Sequence, residues 1–318
     1  MKTIPTVDLA DFLSQDPQRK QKFVSEIGDA YHQVGFVTVK NHGIDEKLIE
    51  KLYEQVIAFF NLPLEVKKKY EIVELAGQRG YTSFGREHAK DSPIPDLKEF
   101  YHVGQEVIDD DLIKNEYPAN IFPDEELPEF RTVTLSIYRQ FENTGRYLLR
   151  ALALYLKLDE FYFDKHIHNG NSILRPIHYP PIEGDIPEGA VRAGAHEDIN
   201  LITLLIGASA EGLQVLARSG EWIPVTVLPG QIVVNAGDML QRLSNNVIRS
   251  TTHRVVNPPK ELMRTSRYSI PFFLHPRSDM DLTCLPHCIT EDNPKQYSDM
   301  TAGEYLNERL IELGLKKQ

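Results

Sequence analysis

From Ser172 onward the sequence breaks into short runs rich in β-branched and aromatic residues: SILRPIHYP, LITLLIG, LQVLA, WIPVTVL, QIVVNAG, THRVVN and RYSIPFFLH. Turn-forming residues separate them at roughly even spacing. That succession predicts strands closing into a sandwich or barrel and argues against alternating βαβ units. Ahead of it the texture is helical. Residues 18–34 carry Phe23, Ile27, Ala30, Tyr31 and Val34 on one face and stop at Gly35. GFVTVKNHGI then alternates like a strand and runs into a turn. A second helix is expected from an Asp45 cap to Pro63, carrying Leu48, Leu52, Ile57, Phe59 and Phe60. Between about Glu126 and Leu158, Phe130, Val133, Ile137, Phe141, Leu148, Leu152 and Leu156 recur at helical spacing. A last helix is expected from about Thr301.

The stretch from about 76 to 108, AGQRGYTSFGREHAKDSPIPDLKEFYHVGQEV, is rich in Gly, Pro and aromatics and predicts a long functional loop. A chain of 318 residues is about the largest a single core supports, which leaves one large domain or two small ones open. No repeat and no linker divides the helical half from the strand half. The expectation is therefore one domain over 1–318: a helical flank with the lid loop and some strands to about 165, a strand core at about 170–280, and a C-terminal helix at about 300–318.

Composition narrows the partners. With 41% hydrophobic and 25% charged residues the chain is ordinary for a globular protein. Its net charge of −11 works against nucleic acid and against an anionic membrane. The local basic run Lys67, Lys68 and Lys69 is expected to be a solvated helix end. Cys284 and Cys288 can build neither a disulfide framework nor a four-ligand zinc site, which fits a reducing, cytoplasmic setting. MKTIPTVDLADFL, broken by Pro5, Asp8 and Asp11, lacks the apolar core of a signal peptide. No stretch approaches the roughly 18 apolar residues of a membrane helix. A small-molecule partner is expected, and oligomeric state has no signature here.

GAHEDINLITLL places a His and an Asp two apart at the head of an apolar run. Side chains two apart on a strand share a face, so His196 and Asp198 can converge if the strand extends through both. His253, heading THRVVN, can supply a third ligand. Two His and one carboxylate with open positions form the facial triad of non-haem Fe(II) oxygenases. A His-x-Asp alone is more often a polar turn. His32, His42, His88, His102, His166, His168, His275 and His287 are assigned to caps, turns or satisfied core positions. Arg267 and Ser269 also lie two apart on a β-rich run, where a guanidinium and a hydroxyl can clamp a carboxylate.

These features sit within a longer series: IPTVDL (4–9), GFVTVKNHGI (35–44), FFNLPLEVKKKY (59–70), RGY (79–81), HYPP (178–181), HEDINLITLL (196–205), LQV (213–215), VVNAGDML (233–240), STTHRVVNP (250–258) and RYSIPFF (267–273). In content and order the series resembles the isopenicillin N synthase-like branch of the Fe(II)/2-oxoglutarate-dependent oxygenases. The resemblance implies a distorted double-stranded β-helix, a cupin-like jelly-roll, braced by N-terminal helices. It puts the metal triad on His196, Asp198 and His253, and the carboxylate clamp on Arg267 and Ser269. The family's cosubstrate-binding Tyr falls on Tyr179. Two positions before it, where plant members often carry Asn, stands Ile177. Asp238 takes a structural role.

The resemblance implies Fe(II), 2-oxoglutarate and O2 as cofactor and cosubstrates, and oxidation of an unactivated C–H bond of a small molecule with release of succinate and CO2. Tyr81, Phe84, Arg86 and Phe100 of the lid loop, with Phe273, are the candidate substrate contacts. Two other readings stay open at this point. One is an Fe(II)/O2 oxidase or cyclase that does not use 2-oxoglutarate; the other is a catalytically silent jelly-roll binding protein.

Overall fold

The structure, a computed structural model, describes residues 3–75, 77–86, 96–110, 113–182, 191–206 and 212–312. The N-terminal part carries β1 (Thr6–Asp8), α1 (Leu9–Phe12), α2 (Pro17–Gln33), β2 (Phe36–Lys40), α3 (Glu46–Phe60) and α4 (Leu64–Lys67). It continues with β3 (Gly80–Thr82), β4 (Glu99–Gly104), α5 (Phe130–Tyr155) and α6 (Asp164–Ile167). Then come β5 (Ile173–Leu174), β6 (Ile177–Tyr179), β7 (Ala193–His196), β8 (Ile202–Ile206), β9 (Leu213–Leu216), β10 (Trp222–Pro224) and β11 (Gln231–Ala236). Last are α7 (Asp238–Leu243), β12 (His253–Val255), β13 (Arg267–Leu274) and α8 (Ala302–Glu312).

Side-chain caps set the helix starts. Asp16 accepts from the backbone N–H of Gln18 at 2.9 Å with Pro17 in the first turn, and Asp45 accepts from Lys47 and Leu48 at 2.8 and 3.3 Å. The apolar face of α3 is Ile49, Leu52, Val56, Phe59 and Phe60. Ile57, expected on that face, is 37% exposed, because it lies off the stripe that α5 covers.

The strands form two sheets. The larger runs β1-β2-β11-β8-β13-β5-β4-β3, with β6 joining β13 to β4; the smaller runs β10-β9-β12-β7. One face of the large sheet, including Val37, Val39, Ile202, Leu204, Val234, Ile270, Phe272 and Leu274, packs in one core with α2, α3 and α5. Phe141 of α5 stacks on Phe272 with ring centroids 5.1 Å apart. The opposite face meets the small sheet through Phe36, Val233, Leu213, Val215 and Val255. The double-sheet core expected from the β-rich runs is therefore present, a jelly-roll braced on one side by helices.

Several expectations need correction. The segment read as a long loop contributes β3 and β4, which pair with each other and extend the large sheet through β5 and β6. Its turn-rich composition masked two short, wholly buried strands. Residues 87–95, with His88, lie outside the described residues, as do 313–318 of the expected final helix. The strand expected within GFVTVKNHGI is present as β2, and with β1 it forms the other edge of the same sheet. Lys67 is no solvated helix end: it is 7% exposed and donates to both carboxylate oxygens of Glu99, at 3.0 and 2.9 Å, and to Phe60 O. Its charge is tolerated because Glu99 compensates it, with Tyr81 and His178 completing the network. No helix of the described residues is long and apolar enough to cross a membrane.

Two stability predictions follow from this packing. Gly35 links α2 to β2 with φ +75, and a Cβ there would collide with Thr251 Oγ1 and lie 2.5 Å from Arg249 O. Left-handed strain and overpacking each cost about 1–2 kcal/mol, so Gly35→Ala should lower stability by roughly 2–4 kcal/mol in urea unfolding. Glu142 in α5 is pushed up to about 7, chiefly by burial and against the pull of Arg146 and Arg139. A folded-state pKa above the unfolded one gives stability that is complete at low pH and is lost as pH rises through about 7. Glu142→Gln should therefore raise the melting temperature at pH 8, by the equivalent of on the order of 2 kcal/mol, and leave it nearly unchanged at pH 4.

Candidate active site

Register brings the polar side chains to one place. Antiparallel pairing sets His253 of β12 directly across from His196 of β7, with ring centroids 4.4 Å apart. β7 ends at His196, so Asp198 is not delivered by strand alternation as expected. The turn after the strand places it, tied down where the Asp238 N–H donates to Asp198 O at 2.7 Å and the Gly237 N–H to Leu201 O at 2.9 Å. His196, Asp198 and His253 then offer donor atoms that all lie within 4.8 Å of one another. Asp198 Oδ1 is 3.9 Å from His196 Nε2 and 3.8 Å from His253 Nε2.

Each donor is aimed by a second contact. His196 Nδ1 bonds Gly194 O at 2.7 Å and His253 Nδ1 bonds Thr251 O at 3.0 Å, an arrangement that assigns the proton to Nδ1 and leaves both Nε2 atoms as acceptors. Asp198 Oδ2 accepts from Thr203 Oγ1 at 2.6 Å and from Asn235 Nδ2 at 2.7 Å, leaving Oδ1 for the shared point. The Thr203 hydroxyl in turn accepts from Asn200 Nδ2 at 2.9 Å, which directs its proton to Asp198. Glu197 turns the other way and accepts from Thr252 Oγ1 at 2.8 Å. Asp238 accepts from Tyr305 at 2.8 Å, in keeping with a structural role.

Electrostatics favours the ligand form of Asp198 and His196. Burial would raise the Asp198 carboxyl, but His253, His196, Asn235 and Thr203 together hold it below its ordinary value. Desolvation first, and then His253, push His196 down to about 4, so its imidazole is neutral although 39% of the side chain is exposed. Two imidazoles and one carboxylate, each pinned from behind, suit Fe(II), and the donor spacing closes on one ion with small side-chain shifts.

Across three strands Asn235, Thr203 and Phe273 form one row facing this point. Further along β13, Ser269 pairs with Ile177 and Arg267 with Tyr179 of β6. Strand alternation puts Arg267, Ser269 and Phe273 on the same face. The Arg267 guanidinium carbon lies 4.8 Å from the Tyr179 ring centroid. Ile177, in place of a polar residue, makes a small apolar cluster with Phe100 and Tyr179.

The expected substrate contacts divide. Phe100 pairs with Ile177, and the Arg175 guanidinium carbon sits 4.5 Å from its ring centroid and 5.2 Å from that of Phe273. These three form one wall. Tyr81 does not belong to it: its register partner is Tyr101, both rings pack on Phe59 in the helix-facing core, and its hydroxyl donates to Glu99. Arg86 is drawn to Glu71 at 2.8 Å on the surface, and Phe84 is 49% exposed beyond β3. Sequence reasoning missed Thr203, Asn235 and Arg175. A Thr inside LITLLIG and an Asn inside QIVVNAG were the available signals, since a buried polar side chain in an apolar strand needs a partner. His102, assigned with the caps, turns and satisfied core positions, also contacts Arg175, and His275, assigned likewise, follows Phe273 by two, its pKa pushed down to about 4 by burial.

Residues 4–125 match the family described as non-haem dioxygenase in morphine synthesis N-terminal, and residues 170–276 match the 2OG-Fe(II) oxygenase superfamily. The chain belongs to the 2-oxoglutarate/Fe(II) oxygenases. The 2-oxoglutarate-Fe(II) type oxidoreductase hxnY of Emericella nidulans is 32% identical over 317 residues, covering 95% of this chain and 89% of that one. A 2OG-Fe(II) oxygenase family protein from Caulobacter crescentus superposes with a TM-score of 0.88 at 41% identity, covering 98% of this chain and 100% of that one. A full-length Neurospora crassa protein, crystallised with alpha-KG and thymine, gives a TM-score of 0.84 at 33% identity, covering 97% and 96%. Of the three readings left open by the sequence, these findings support the first: the chain is a non-haem Fe(II)/2-oxoglutarate-dependent dioxygenase.

The shell behind Asp198 makes a direct prediction. Removing an outer-shell partner commonly costs 10–100-fold in metal affinity, so Asn235→Ala and Thr203→Val should each weaken Fe(II) or Mn(II) binding by about that factor. Calorimetric titration of the metal checks this, and unchanged affinity in both would remove the shell from the account.

Proposed function

We propose that His196, Asp198 and His253 hold Fe(II), that Arg267 and Ser269 grip the far carboxylate of 2-oxoglutarate with Tyr179 beside them, and that the substrate lies against Phe100, Arg175 and Phe273. The observation that carries the assignment is the pinning of Asp198 by Thr203 and Asn235, in the row that also contains Phe273. Bound together, Fe(II) and 2-oxoglutarate supply the chemistry that uses O2, releases succinate and CO2, and oxidises a C–H bond of the substrate. The chain's own part is to aim and to shield. Both Nε2 atoms are presented by backbone-anchored rings, and Asp198 is 6% exposed, so water has restricted access to the carboxylate. Arg175 between two aromatic faces fits a small molecule with a planar, polar part, in keeping with the thymine bound by the Neurospora relative.

With a net charge of −11, a small molecule is a better partner than duplex nucleic acid or a membrane surface. Free, buried Cys284 and Cys288 suit a reducing cytoplasm. The test is a panel of small planar substrates scored for O2 uptake and succinate. His196→Ala, Asp198→Ala and His253→Ala should each abolish succinate release while keeping a cooperative melt. Succinate production at the wild-type rate in any of them would remove that residue from the site. Phe273→Ala should raise the substrate KM with a smaller effect on succinate formed without substrate.

A further inference from the structure

Arg192 stands four residues before His196 and is 4% exposed. The pairing of β7 with β12 is irregular here: His196 faces His253, yet Ala193 already faces Val255. Arg192, the residue before β7, lies beside Tyr179 of β6 and shares a cavity with Arg267 of β13. Its Nη2 makes a long bond to Thr265 O at 3.3 Å, and its Nε is buried with no acceptor among the described residues. Its guanidinium carbon lies 5.7 Å from the centroid of the Tyr179 ring, the ring that Arg267 also covers.

Both arginines line one cavity of about 180 Å³, together with Gly212, residues 256–259, Leu262, Thr265 and Ser266, none of which is acidic. Burial first, and then the charge of Arg267, push the Arg192 pKa below its ordinary value. A buried guanidinium beside a like charge, with a donor unused among the described residues, is unfavourable unless an anion completes the arrangement. The planar fork of Arg is matched to a carboxylate.

We propose that Arg192 is a second cationic contact for the far carboxylate of the cosubstrate, beside Arg267, and that the pair makes the site selective for dicarboxylic over monocarboxylic 2-oxo acids. The proposal rests on the reading that Arg267 and Ser269 take that carboxylate. A 2-oxo acid without the far carboxylate gains nothing from Arg192, because its remaining carboxylate and keto oxygen belong at the metal end. Loss of Arg192 therefore lowers affinity for one class of ligand and spares the other, a pattern that a residue serving only to fill space does not give.

The experiment is anaerobic calorimetric titration of the Mn(II)-loaded full chain with 2-oxoglutarate and, separately, with 2-oxobutyrate, for wild type, Arg192→Met, Arg192→Lys and Arg267→Met. Arg192→Met should weaken 2-oxoglutarate at least 10-fold and 2-oxobutyrate less than 2-fold. Arg192→Lys, which keeps the charge but not the fork, should fall between, and it decides the matter if the Met variant does not fold. Equal weakening of both acids, or of neither, overturns the proposal, as does a change confined to the KM of the oxidised substrate. If Arg267→Met also leaves 2-oxoglutarate binding intact, it is the underlying reading of the clamp that fails. Weakening by Arg267→Met alone sinks only the role of Arg192.

Discussion

One buried carboxylate organises the site. Burying a charge without compensation costs several kcal/mol, so the position of Asp198 depends on what surrounds it. Thr203 and Asn235 hold one of its oxygens, two imidazoles face the other, and Asn200 fixes the direction of the Thr203 hydroxyl. Thr203 and Asn235 reach it because β8 and β11 are adjacent and in register. Their strands stay in place because the opposite face of the same sheet, Leu204, Val234 and Phe272, is buried against the helices. The bracing helices thus act on the metal ligands through two residues that bind no metal.

The large sheet separates two kinds of chemistry by alternation along its strands. On β13, Arg267, Ser269 and Phe273 face the site, while Ile270, Phe272 and Leu274 face the helices. On β6 and β4 the same alternation sends Tyr179 and Phe100 toward the site and sends His178 and Tyr101 to the other side. The network of Lys67, Glu99, Tyr81 and His178 is therefore a compensated charge cluster apart from the row of Asn235, Thr203 and Phe273, although Glu99 adjoins Phe100 in the chain and His178 adjoins Tyr179.

Much of this was legible in the sequence, for identifiable reasons. Asp45 and Gly35 mark their helix ends because capping and left-handed turns are local events. The β-rich runs gave the double sheet because alternation is also local. Less legible was anything decided by a distant partner. Tyr81 and Phe100 stood in one aromatic loop, and only their pairing, Tyr81 with Tyr101 and Phe100 with Ile177, put the first in the core and the second at the site. Ile57 satisfied a helical period yet falls outside the strip that α5 covers, and Lys67 looked solvated because Glu99 lies 32 residues away.

By itself the sequence determined the double-sheet class of fold and the residue types able to bind iron, since these follow from period and spacing. Only the tertiary structure decided that Asp198 is delivered by a turn held to α7 rather than by the strand, because that depends on the backbone bond from Asp238. It alone brought Arg192 beside the ring that Arg267 covers, since a contact between residues on different strands leaves no trace in hydrophobic pattern.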